Sequence, residues 1–385
     1  MQKTIGVFFG SRSAEHDVSI VTAIGAVIKP LAALKKYHVV PIYIAKNGAW
    51  YCDPRLADIA AYSGGAIDDL LAKLKPVAVR FGNGLELIKP GLKNQIIPID
   101  IAFPATHGTY GEDGSLMGVL RMANIPFVGC DLAASALAMD KVLSKLVAGA
   151  QGVATAPMVY FTAAEYRQVP ADFLSRINAE LTYPLFVKPA HLGSSIGISR
   201  VTSQQDLADA IEVALHYDTK VVVESAVQNL IEVTVPIMGN AEPQPALVER
   251  PVRLTDDGFF DFDKKYIQGG GKKGGKKGGA QGYSEIPAKL PQKLYDAAVA
   301  TALQVYGALG CEGMARVDLL IDSKTNAIYF NEVNPLPGQL YNHNWRQAGV
   351  SASALVERLV ELAEARHAEQ SALTTVFTTN FLRQF

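Results

Sequence analysis

The side chains with the clearest chemical potential lie in the segment ARVDLLIDSKTNAIYFNEVNPLPG, residues 315–338. Apolar residues flank a polar turn in this segment, a pattern that predicts a β-hairpin. Arg316 and Asp318 stand two positions apart and therefore share one face of the first strand, and Glu332 and Asn334 share a face of the second. If the strands pair about the turn, two carboxylates, an amide and a guanidinium meet on one side of the sheet.

That set of groups is suited to phosphate chemistry. Carboxylate and amide oxygens are hard ligands that suit Mg²⁺ carrying nucleotide phosphates. Arg316 beside them would hold an anion or a developing oxyanion. Two alternatives stay open: a salt-bridge ladder on the protein surface, and a slip in strand register that would send the side chains to opposite faces.

A second candidate is the glycine–serine turn of PLFVKPAHLGSSIGI. Lys188 stands at the end of the first predicted strand, and Gly193, Ser194 and Ser195 form the turn to the next strand. Backbone N–H groups in such a turn can bind a phosphate, with Lys188 as a point charge beside it. An ordinary hairpin turn explains the same pattern.

Two polar loops follow predicted strands of the N-terminal part. The loop HGTYGEDG, residues 107–114, comes after the apolar IDIAFPA, at the carboxyl end of a strand, where doubly wound sheets bind ligands. His107 can bond an anionic group there, or the loop can be ordered simply by Asp113. In SAEHDVS, Glu15 starts a helix, where it either complements the helix dipole or holds a substrate ammonium.

The stretch YIQGGGKKGGKKGGAQGYSEIP, residues 266–287, is rich in glycine and carries four lysines. Gly270, Gly275 and Lys276 match GxxxxGK, but Lys277 replaces the Ser or Thr that binds magnesium in a P-loop, and the required flanking strand and helix are not predicted. The glycines permit open backbone geometry and the lysines can reach phosphate. A solvated linker and a nucleic-acid-binding tail are the alternatives.

The elements that must position these groups begin with a strand–helix–strand order. TIGVFFG and YHVVPIYIA are the strands and HDVSIVTAIGAVIKPLAAL is the helix, which together start a doubly wound sheet whose domain ends near residue 128. A helical segment, the glycine–serine hairpin, the helix SQQDLADAIEVALHY and the strand KVVVESAV follow. Strands dominate again from about residue 228, and PQKLYDAAVATALQVYGALG and 351–367 are helices.

Composition limits the class of protein. The 385 residues suffice for about two or three domains, and a net charge of −1 gives no global basic field for nucleic acid or anionic lipid. Cys52, Cys130 and Cys311 are far apart in the sequence, which argues against a disulfide framework or a zinc knuckle and suits a reducing cytosol. No signal peptide is recognisable, and no apolar run approaches the ~20 residues of a membrane span. We expect a soluble cytoplasmic protein with no nucleic-acid or membrane partner.

Taken together, the segments resemble the D-alanine–D-alanine ligases of the ATP-grasp superfamily over residues 4–365. The resemblance rests on eight motifs in the family's order: SAEHDVS, HGTYGEDG, MDKVLSK, VKPAHLGSSIGI, EVTV, FDFDKKY, ARVDLLID and NEVNPLPG. It implies an α/β, three-domain ATP-grasp architecture with an N-terminal doubly wound (Rossmann-like) domain. The implied units are that domain at 1–128, ATP-grasp subdomains at 129–227 and 228–367, and a peripheral tail at 368–385.

The resemblance also implies roles for individual residues. ATP would be bound by Lys141, Lys188, Glu224, Val227, Glu232 and Lys265. Two Mg²⁺ (or Mn²⁺) ions would be held by Asp318, Glu332 and Asn334. The amino-acid substrates would be held by Glu15, His107, Arg316, Gly338 and Asn344. The catalytic set would be Glu15, Ser194, Tyr266, Arg316 and Gly338, with the oxyanion site formed by Arg316 and the Gly338 N–H. The stretch 266–287 would be a mobile loop that closes over the phosphates.

Two departures from the family concern the second substrate. Pro335 stands where the family has Thr, and in GQLYNHNWRQAG only Asn342, His343 or Asn344 can replace the serine that binds the second substrate's carboxylate. Tyr266 matches the family's tyrosine, which favours an amine as the nucleophile.

The activity expected from the resemblance is ATP-dependent joining of two D-alanines through an acyl phosphate. The product would be D-alanyl-D-alanine for peptidoglycan, and the enzyme would be a cytoplasmic homodimer. Alternatives are the same chemistry with another second substrate, such as D-serine or D-lactate, and a nucleotide-binding regulator without catalysis. An NAD-dependent oxidoreductase is disfavoured because GSRSAE is not GxGxxG.

Overall fold

The structure is a computed structural model that describes residues 2–82, 84–251 and 284–385. The described strands are β1 (Thr4–Gly10), β2 (His38–Ile44), β3 (Trp50–Cys52), β4 (Ala78–Gly82), β5 (Gly84–Lys89), β6 (Gln95–Ile99), β7 (Ile101–Pro104), β8 (Met158–Thr162), β9 (Leu185–Pro189), β10 (Ser199–Val201), β11 (Lys220–Ser225), β12 (Leu230–Met238), β13 (Gln244–Pro245), β14 (Arg250–Pro251), β15 (Ser284–Glu285), β16 (Met314–Asp322) and β17 (Ile328–Asn334). The described α-helices are α1 (His16–Thr22), α2 (Lys29–Ala33), α3 (Ala66–Leu71), α4 (Ser115–Met122), α5 (Leu132–Met139), α6 (Lys141–Ala150), α7 (Ala163–Gln168), α8 (Pro170–Glu180), α9 (Leu207–Tyr217), α10 (Gln292–Ala308), α11 (Asn342–Gln347) and α12 (Ala352–Ser371).

The first sheet has the strand order β3-β2-β1-β7, and β1 runs parallel to both β2 and β7. The predicted strand–helix–strand start is therefore confirmed. A strand with both faces covered needs a continuous apolar run, and all residues of β1 after the first are buried. Gly10 ends the strand with φ +95°, and a Cβ there would lie 2.2 Å from the Ile44 carbonyl oxygen. Only glycine therefore fits where the chain leaves the sheet toward the first polar loop.

The predicted first helix runs from His16 to Ala33 as α1, a π-helical segment (Ala23–Ile28) and α2. Length and composition alone would allow this stretch to cross a membrane, and 61% of it is buried inside the protein. Its apolar side chains, Ile24 and Leu31 among them, pack into the core of the first sheet.

A three-stranded antiparallel meander, β4-β5-β6, follows, and the sequence patterns above do not predict it. Leu85 and Leu87 of β5 are buried against the first sheet, whereas most of β4 and β6 is exposed. The two outer strands lack a regular apolar face, so their period-two signal is weak.

The second large sheet is antiparallel, with the order β10-β9-β11-β8. The predicted strands on either side of the glycine–serine turn are confirmed as β9 and β10, and KVVVESAV supplies β11. The predicted helix SQQDLADAIEVALHY contains α9, whose Leu207 and Ile211 are fully buried in the core of this sheet. Strands β9 and β11 pair directly and bring Lys188 and Glu224 next to each other.

The third sheet has the order β13-β12-β16-β17, and the predicted hairpin is confirmed as β16 and β17. Arg316 lies opposite Asn334 and Asp318 lies opposite Glu332, with an irregularity in the register between Asp318 and Leu319. The alternate residues of β16 form the other face and pack into the core with α10: Val317, Leu319 and Ile321. The four polar side chains therefore share one face, as their spacing predicts.

The helix predicted at 351–367 is α12, which begins after the N-cap Ser351 and extends to Ser371. Its buried Leu355 and Leu359 belong to the same core cluster as Ile24 and Leu31 of the first helical stretch. The last helix thus packs against the N-terminal part of the chain, although it follows the third sheet in sequence. The domain boundaries proposed from the resemblance stay predictions.

Candidate active site

The polar face of the β16–β17 hairpin holds a tightly bonded cluster. Arg316 makes a bidentate pair with Asp318, in which Nε lies 2.9 Å from Oδ1 and Nη2 lies 2.7 Å from Oδ2. The Thr234 hydroxyl of β12 donates to the same carboxylate, and the Asn334 side-chain amide donates to it at 3.3 Å. Burial raises the pKa of Asp318, although Arg316 opposes the rise. A cation bound here would favour the ionised form of this carboxylate.

Glu332, on the second strand of the hairpin, faces the first lysine of MDKVLSK. Lys141 Nζ lies 3.3 Å from Glu332 Oε2 and donates to the Leu192 carbonyl at 2.6 Å. Burial alone would raise the pKa of Glu332, but the charges of Lys141, Lys188 and Arg316 keep that pKa below its ordinary value. Glu332 is therefore an ionised carboxylate at neutral pH, and a bound cation would meet its negative charge.

The three predicted metal ligands, Asp318, Glu332 and Asn334, lie on this one face. In the described part of the chain, no three His, Cys, Asp or Glu side chains are grouped as a metal site. The hairpin set offers two carboxylates and one amide, so phosphate oxygens or water would have to complete a coordination shell. An all-oxygen donor set of this kind fits Mg²⁺ or Mn²⁺.

A second charged cluster lies on the central sheet around Glu224, whose side chain is only 2% exposed. Lys188 Nζ and Lys145 Nζ each lie 2.7 Å from one of its carboxylate oxygens. Burial alone would raise the pKa of Glu224, but these two ammonium groups lower it to about 2. Lys188 also donates to Asn331 Oδ1 at 3.4 Å, which connects the central sheet to the hairpin.

Lys145 is a residue that sequence reasoning missed. It lies one helical turn after Lys141 in α6, and its side chain is 1% exposed. The i, i+4 spacing within MDKVLSK was the available signal, because it places both lysines on one face of a helix.

Two other predicted ATP ligands lie among the described residues and are half-buried. They are Val227, which follows β11, and Glu232, which lies within β12.

The glycine–serine turn comes close to the start of the first helix. The Ser194 hydroxyl donates to Glu15 Oε1. Ser194 and Ser195 have φ of +54° and +61°, and a Cβ built on Gly193 would lie 3.0 Å from Glu15 Oε2. A glycine at this position therefore lets the backbone of the turn approach the carboxylate. Glu15 and Ser194, which were predicted to act together, therefore lie in contact although they are 179 positions apart in the sequence.

His107 and the turn that begins at Gly338 are joined through Thr22. Thr22 Oγ1 lies 2.9 Å from His107 Nε2 and accepts a hydrogen bond from the Gln339 N–H at 3.0 Å. Gln339 has φ +50°, so the chain turns in the left-handed region directly after Gly338. The N-terminal loop and the C-terminal oxyanion candidate are thus held next to each other.

Asn344, predicted to meet the second substrate, is fully buried in α11. Its Oδ1 accepts from the Leu247 N–H at 3.2 Å, and its Nδ2 donates to the Leu247 carbonyl at 3.0 Å and to Glu249 Oε2 at 3.1 Å. Both amide hydrogens are therefore used inside the protein, and the role of Asn344 toward substrate stays a prediction.

Tyr341 and His343 lie between this buried amide and the arginine of the hairpin. His343 Nε2 is 2.9 Å from Glu249 Oε2, and the rings of Tyr341 and His343 are 4.5 Å apart. The guanidinium of Arg316 lies 5.3 Å from the centre of the Tyr341 ring. Both side chains are half-buried, so this part of segment 341–344 borders the Arg316 site.

Some predicted site residues lie outside the described residues. They are Lys265, Tyr266 and the lysines of 272–277, together with residues 266–283 of the predicted mobile loop. The end of that loop is described, and Ser284–Glu285 forms β15 in antiparallel pairing with β14.

Comparison with known proteins identifies the family of the chain. The family model for the D-ala D-ala ligase N-terminus matches residues 4–130, and the model for the D-ala D-ala ligase C-terminus matches residues 147–361. A D-alanine–D-alanine ligase of Chlorobium phaeovibrioides is 40% identical over 376 residues, which cover 94% of this chain and 97% of that protein. D-alanine–D-alanine ligase A of Escherichia coli K12 is 37% identical, with 96% and 98% covered.

Among solved structures, the VanG D-Ala:D-Ser ligase of Enterococcus faecalis superposes with a TM-score of 0.78 at 33% sequence identity. The match covers 94% of this chain and the whole of that one. The predicted α/β ATP-grasp architecture is confirmed, and the chain belongs to the D-alanine–D-alanine ligase family.

Proposed function

We propose that this protein is a D-alanine–D-alanine ligase, which uses ATP to join two D-alanine molecules. The observation that carries the proposal is the meeting of three distant segments at one place. Lys141 lies 3.3 Å from the carboxylate of Glu332, and Lys188 donates to Asn331 of the same hairpin at 3.4 Å. The hairpin also carries Arg316. Cations and metal-binding carboxylates in this arrangement suit phosphoryl transfer, which depends on positioning and charge stabilisation.

The chemistry follows from the low reactivity of a carboxylate. A carboxylate oxygen of the first D-alanine attacks the γ-phosphorus of ATP, the bond to the β–γ bridging oxygen breaks, and ADP leaves. The acyl phosphate that forms has a good leaving group. The amine of the second D-alanine attacks the acyl carbon, and the tetrahedral oxyanion collapses. Inorganic phosphate leaves with the electrons of the C–O bond and takes up the amine proton, which leaves D-alanyl-D-alanine.

Some of the proposed nucleotide contacts come from residues of the charged clusters. Lys141 and Lys188 offset the charge of the phosphates, and Lys188 is held in place by Glu224 at 2.7 Å. Glu224 and Val227 border the adenine, and Glu232 bonds the ribose. Lys265, directly before the loop 266–287, is proposed to contact the phosphates. The loop would exclude water from the acyl phosphate when it closes.

The first D-alanine is proposed to bind between the N-terminal loops and the glycine–serine turn. Glu15, in contact with Ser194, takes its ammonium, and Tyr266 completes that hydrogen-bonded group. His107 lies near its carboxylate. The second D-alanine then approaches from the side of Tyr341 and His343.

The oxyanion site is proposed to consist of Arg316 and the Gly338 N–H. The bidentate contact with Asp318 fixes the guanidinium plane. Fixed donors at the position where charge develops lower the barrier because they need no reorganisation during the step.

Asp318, Glu332 and Asn334 are proposed to be the residues that would hold two Mg²⁺ (or Mn²⁺) ions. When bound, the metals screen the repulsion between the γ-phosphate and the attacking carboxylate. The chain's own contribution is to keep Glu332 ionised through Lys141 and to hold Asp318 through Arg316 and Thr234.

A second candidate differs only in the second substrate. The solved relative that is 33% identical is a D-Ala:D-Ser ligase, and segment 341–344 departs from the family's serine motif. We propose that the segment around Asn342 to Asn344 sets the choice between D-alanine and D-serine. The proposed setting is a cytoplasmic homodimer that supplies peptidoglycan synthesis, built from domains 1–128, 129–227 and 228–367 with the tail 368–385.

The test is product analysis with purified protein. ATP, Mg²⁺ and D-alanine should give ADP, phosphate and a D,D-dipeptide by mass spectrometry, whereas L-alanine should give none. Adding D-serine to D-alanine measures the second-site preference in the same reaction. The variant Lys36→Met, which changes an exposed lysine that pairs with Glu357 and has no proposed role in the site, is the control and should retain activity. Phosphate release that does not depend on D-amino acids would overturn the proposal.

A further inference from the structure

Four charged side chains that the proposed mechanism does not use meet at the base of the glycine–serine turn. They come from three elements: Asp140 precedes α6, His191 begins the turn after β9, and Asp218 and Lys220 lie where α9 leads into β11. His191 Nε2 is 3.2 Å from Asp140 Oδ2, and its Nδ1 is 3.0 Å from Asp218. Lys220 Nζ is 2.7 Å from the same Asp140 oxygen.

This cluster is bonded to both segments that form the proposed phosphate site. They are the start of α6, which carries Lys141, and the first residue of the glycine–serine turn. Asp140 caps α6, because its Oδ1 accepts from the N–H groups of the two residues after Lys141, at 2.9 and 3.0 Å. The His191 backbone N–H donates to Asp218 Oδ2 at 2.7 Å, which fixes the first residue of the turn. The next residue, Leu192, accepts the hydrogen bond from Lys141 Nζ, and Ser194 reaches Glu15.

Both ring nitrogens of His191 face carboxylates, an arrangement that favours the positively charged imidazolium over the neutral imidazole. A neutral imidazole has one N–H and can donate to one carboxylate only, whereas the imidazolium donates to both. The hydrogen bonds to Asp140 and Asp218 raise the pKa of His191 to about 9, against the lowering effect of burial. Lys220 is the other charged group of the cluster, and at the far end of the turn the ring of Tyr217 packs against Gly197.

We propose that His191 is a positioning residue that, as an imidazolium bridging Asp140 and Asp218, holds the glycine–serine turn 191–197 in the conformation that binds nucleotide phosphates. The effect on catalysis rests on the proposed function, but the effect on the turn does not. The raised pKa sets the sign of the pH dependence: the bridge is complete at neutral pH and is lost as pH rises through about 9.

The test compares His191→Asn, which cannot carry the charge, with His38→Asn, the same change at an exposed histidine of the first sheet. Amide hydrogen exchange of the turn peptide is expressed as protection factors, so that intrinsic exchange rates at each pH cancel. ADP affinity is measured by calorimetry at pH 7.5 and 10. Neither readout requires ligase turnover, so a failure of the proposed function would leave this test intact.

In the unsubstituted protein, protection of the turn and ADP affinity should both fall between pH 7.5 and 10. His191→Asn should weaken ADP binding about tenfold at pH 7.5, because a displaced turn misplaces its phosphate contacts. Its further loss of ADP affinity between pH 7.5 and 10 should be smaller than that of the unsubstituted protein. His38→Asn should behave as the unsubstituted protein. The KM for ATP of His191→Asn should rise more than its kcat falls.

A second variant covers the case in which His191→Asn does not fold. Asp218→Asn leaves the imidazole but removes one carboxylate, so the loss of protection should begin at a lower pH than in the unsubstituted protein. Protection and ADP affinity in His191→Asn equal to those of the unsubstituted protein at pH 7.5 would overturn the proposal. An unchanged pH of onset in Asp218→Asn would overturn it as well.

Discussion

Replacing Lys145 with methionine is the sharpest single test of how the nucleotide site is built. The side chain is 1% exposed and its ammonium lies 2.7 Å from Glu224 Oε1, while Lys188 occupies the other carboxylate oxygen at the same distance. Methionine keeps the buried aliphatic volume, so the change removes charge without opening a large cavity. What is lost is one of two cations that keep a buried carboxylate ionised.

The size of the effect follows from the carboxylate. The pKa of Glu224 falls from its ordinary value of 4.5 to about 2, against the opposing effect of burial and because of Lys145 and Lys188. A lowering of that size corresponds to about 3 kcal/mol of folding free energy. This contribution is complete above the unfolded pKa near 4.5 and is lost as pH falls through 2. Burial lowers the pKa of Lys145 itself, so the cost of burying its ammonium offsets part of that contribution. Since Lys188 also keeps one contact, we expect Lys145→Met to cost about 1–2 kcal/mol at pH 7, below the usual cost of breaking a buried pair.

Urea unfolding at pH 7 without nucleotide, followed by far-UV circular dichroism, measures this loss. The matched control is Lys36→Met, because Lys36 pairs with Glu357 at 2.8 Å but is 53% exposed; its cost should stay below about 1 kcal/mol. In the Glu224→Gln background, where both lysines have lost their carboxylate, Lys145→Met should cost much less than in the unsubstituted protein, because it then removes a buried cation that has no charged partner. Equal costs for the buried and exposed lysines, or the same cost of Lys145→Met in both backgrounds, would refute the reasoning.

Three further substitutions test the hairpin and its surroundings. Glu332→Gln should retain the folded circular dichroism spectrum and lower kcat by at least ~100-fold, because it removes charge from the proposed metal site; an unchanged kcat at saturating Mg²⁺ would show that the carboxylate is structural. Arg316→Lys should also lower kcat by about 100-fold with a smaller change in the KM for ATP, because lysine cannot make the bidentate contact to Asp318; equal changes in both parameters would count against an oxyanion role. Asn344→Ala should cost about 2 kcal/mol in urea unfolding, because the Leu247 N–H loses its buried acceptor; unaltered stability would contradict a packing role.

The sequence predicted the hairpin site well because its geometry is local. Residues two apart on a strand share a face, and a short turn leaves little freedom in how Arg316 and Asp318 meet Glu332 and Asn334. The irregularity between Asp318 and Leu319 was not predicted. Bulges depend on the neighbouring strands, here β12 on the other side of β16, and no pattern within the hairpin signals them.

Contacts between distant segments could not be derived from periodicity. Ser194 and Glu15 are 179 residues apart, and Lys188 and Asn331 are 143 apart. Their meeting depends on how the three sheets are placed, which the residues alone do not specify and which the family resemblance supplied. Lys145 shows the limit most clearly, because a lysine in an amphipathic helix is ordinarily a solvated side chain, and only the position of Glu224 makes this one a core residue.

The site also explains why a protein with almost no net charge can bind a triphosphate. The whole chain carries a net charge of −1, yet its described site concentrates four cations around three carboxylates: Lys141, Lys145, Lys188 and Arg316 with Glu224, Asp318 and Glu332. One positive charge in excess is far too little to neutralise three phosphate groups, and each cation is already paired with a carboxylate. Among the described residues, the cations therefore position phosphates and keep the carboxylates ionised, and the proposed divalent metals would supply much of the remaining neutralisation. On the proposed function, this division of work accounts for carboxylates, and not further lysines, on the face of the hairpin.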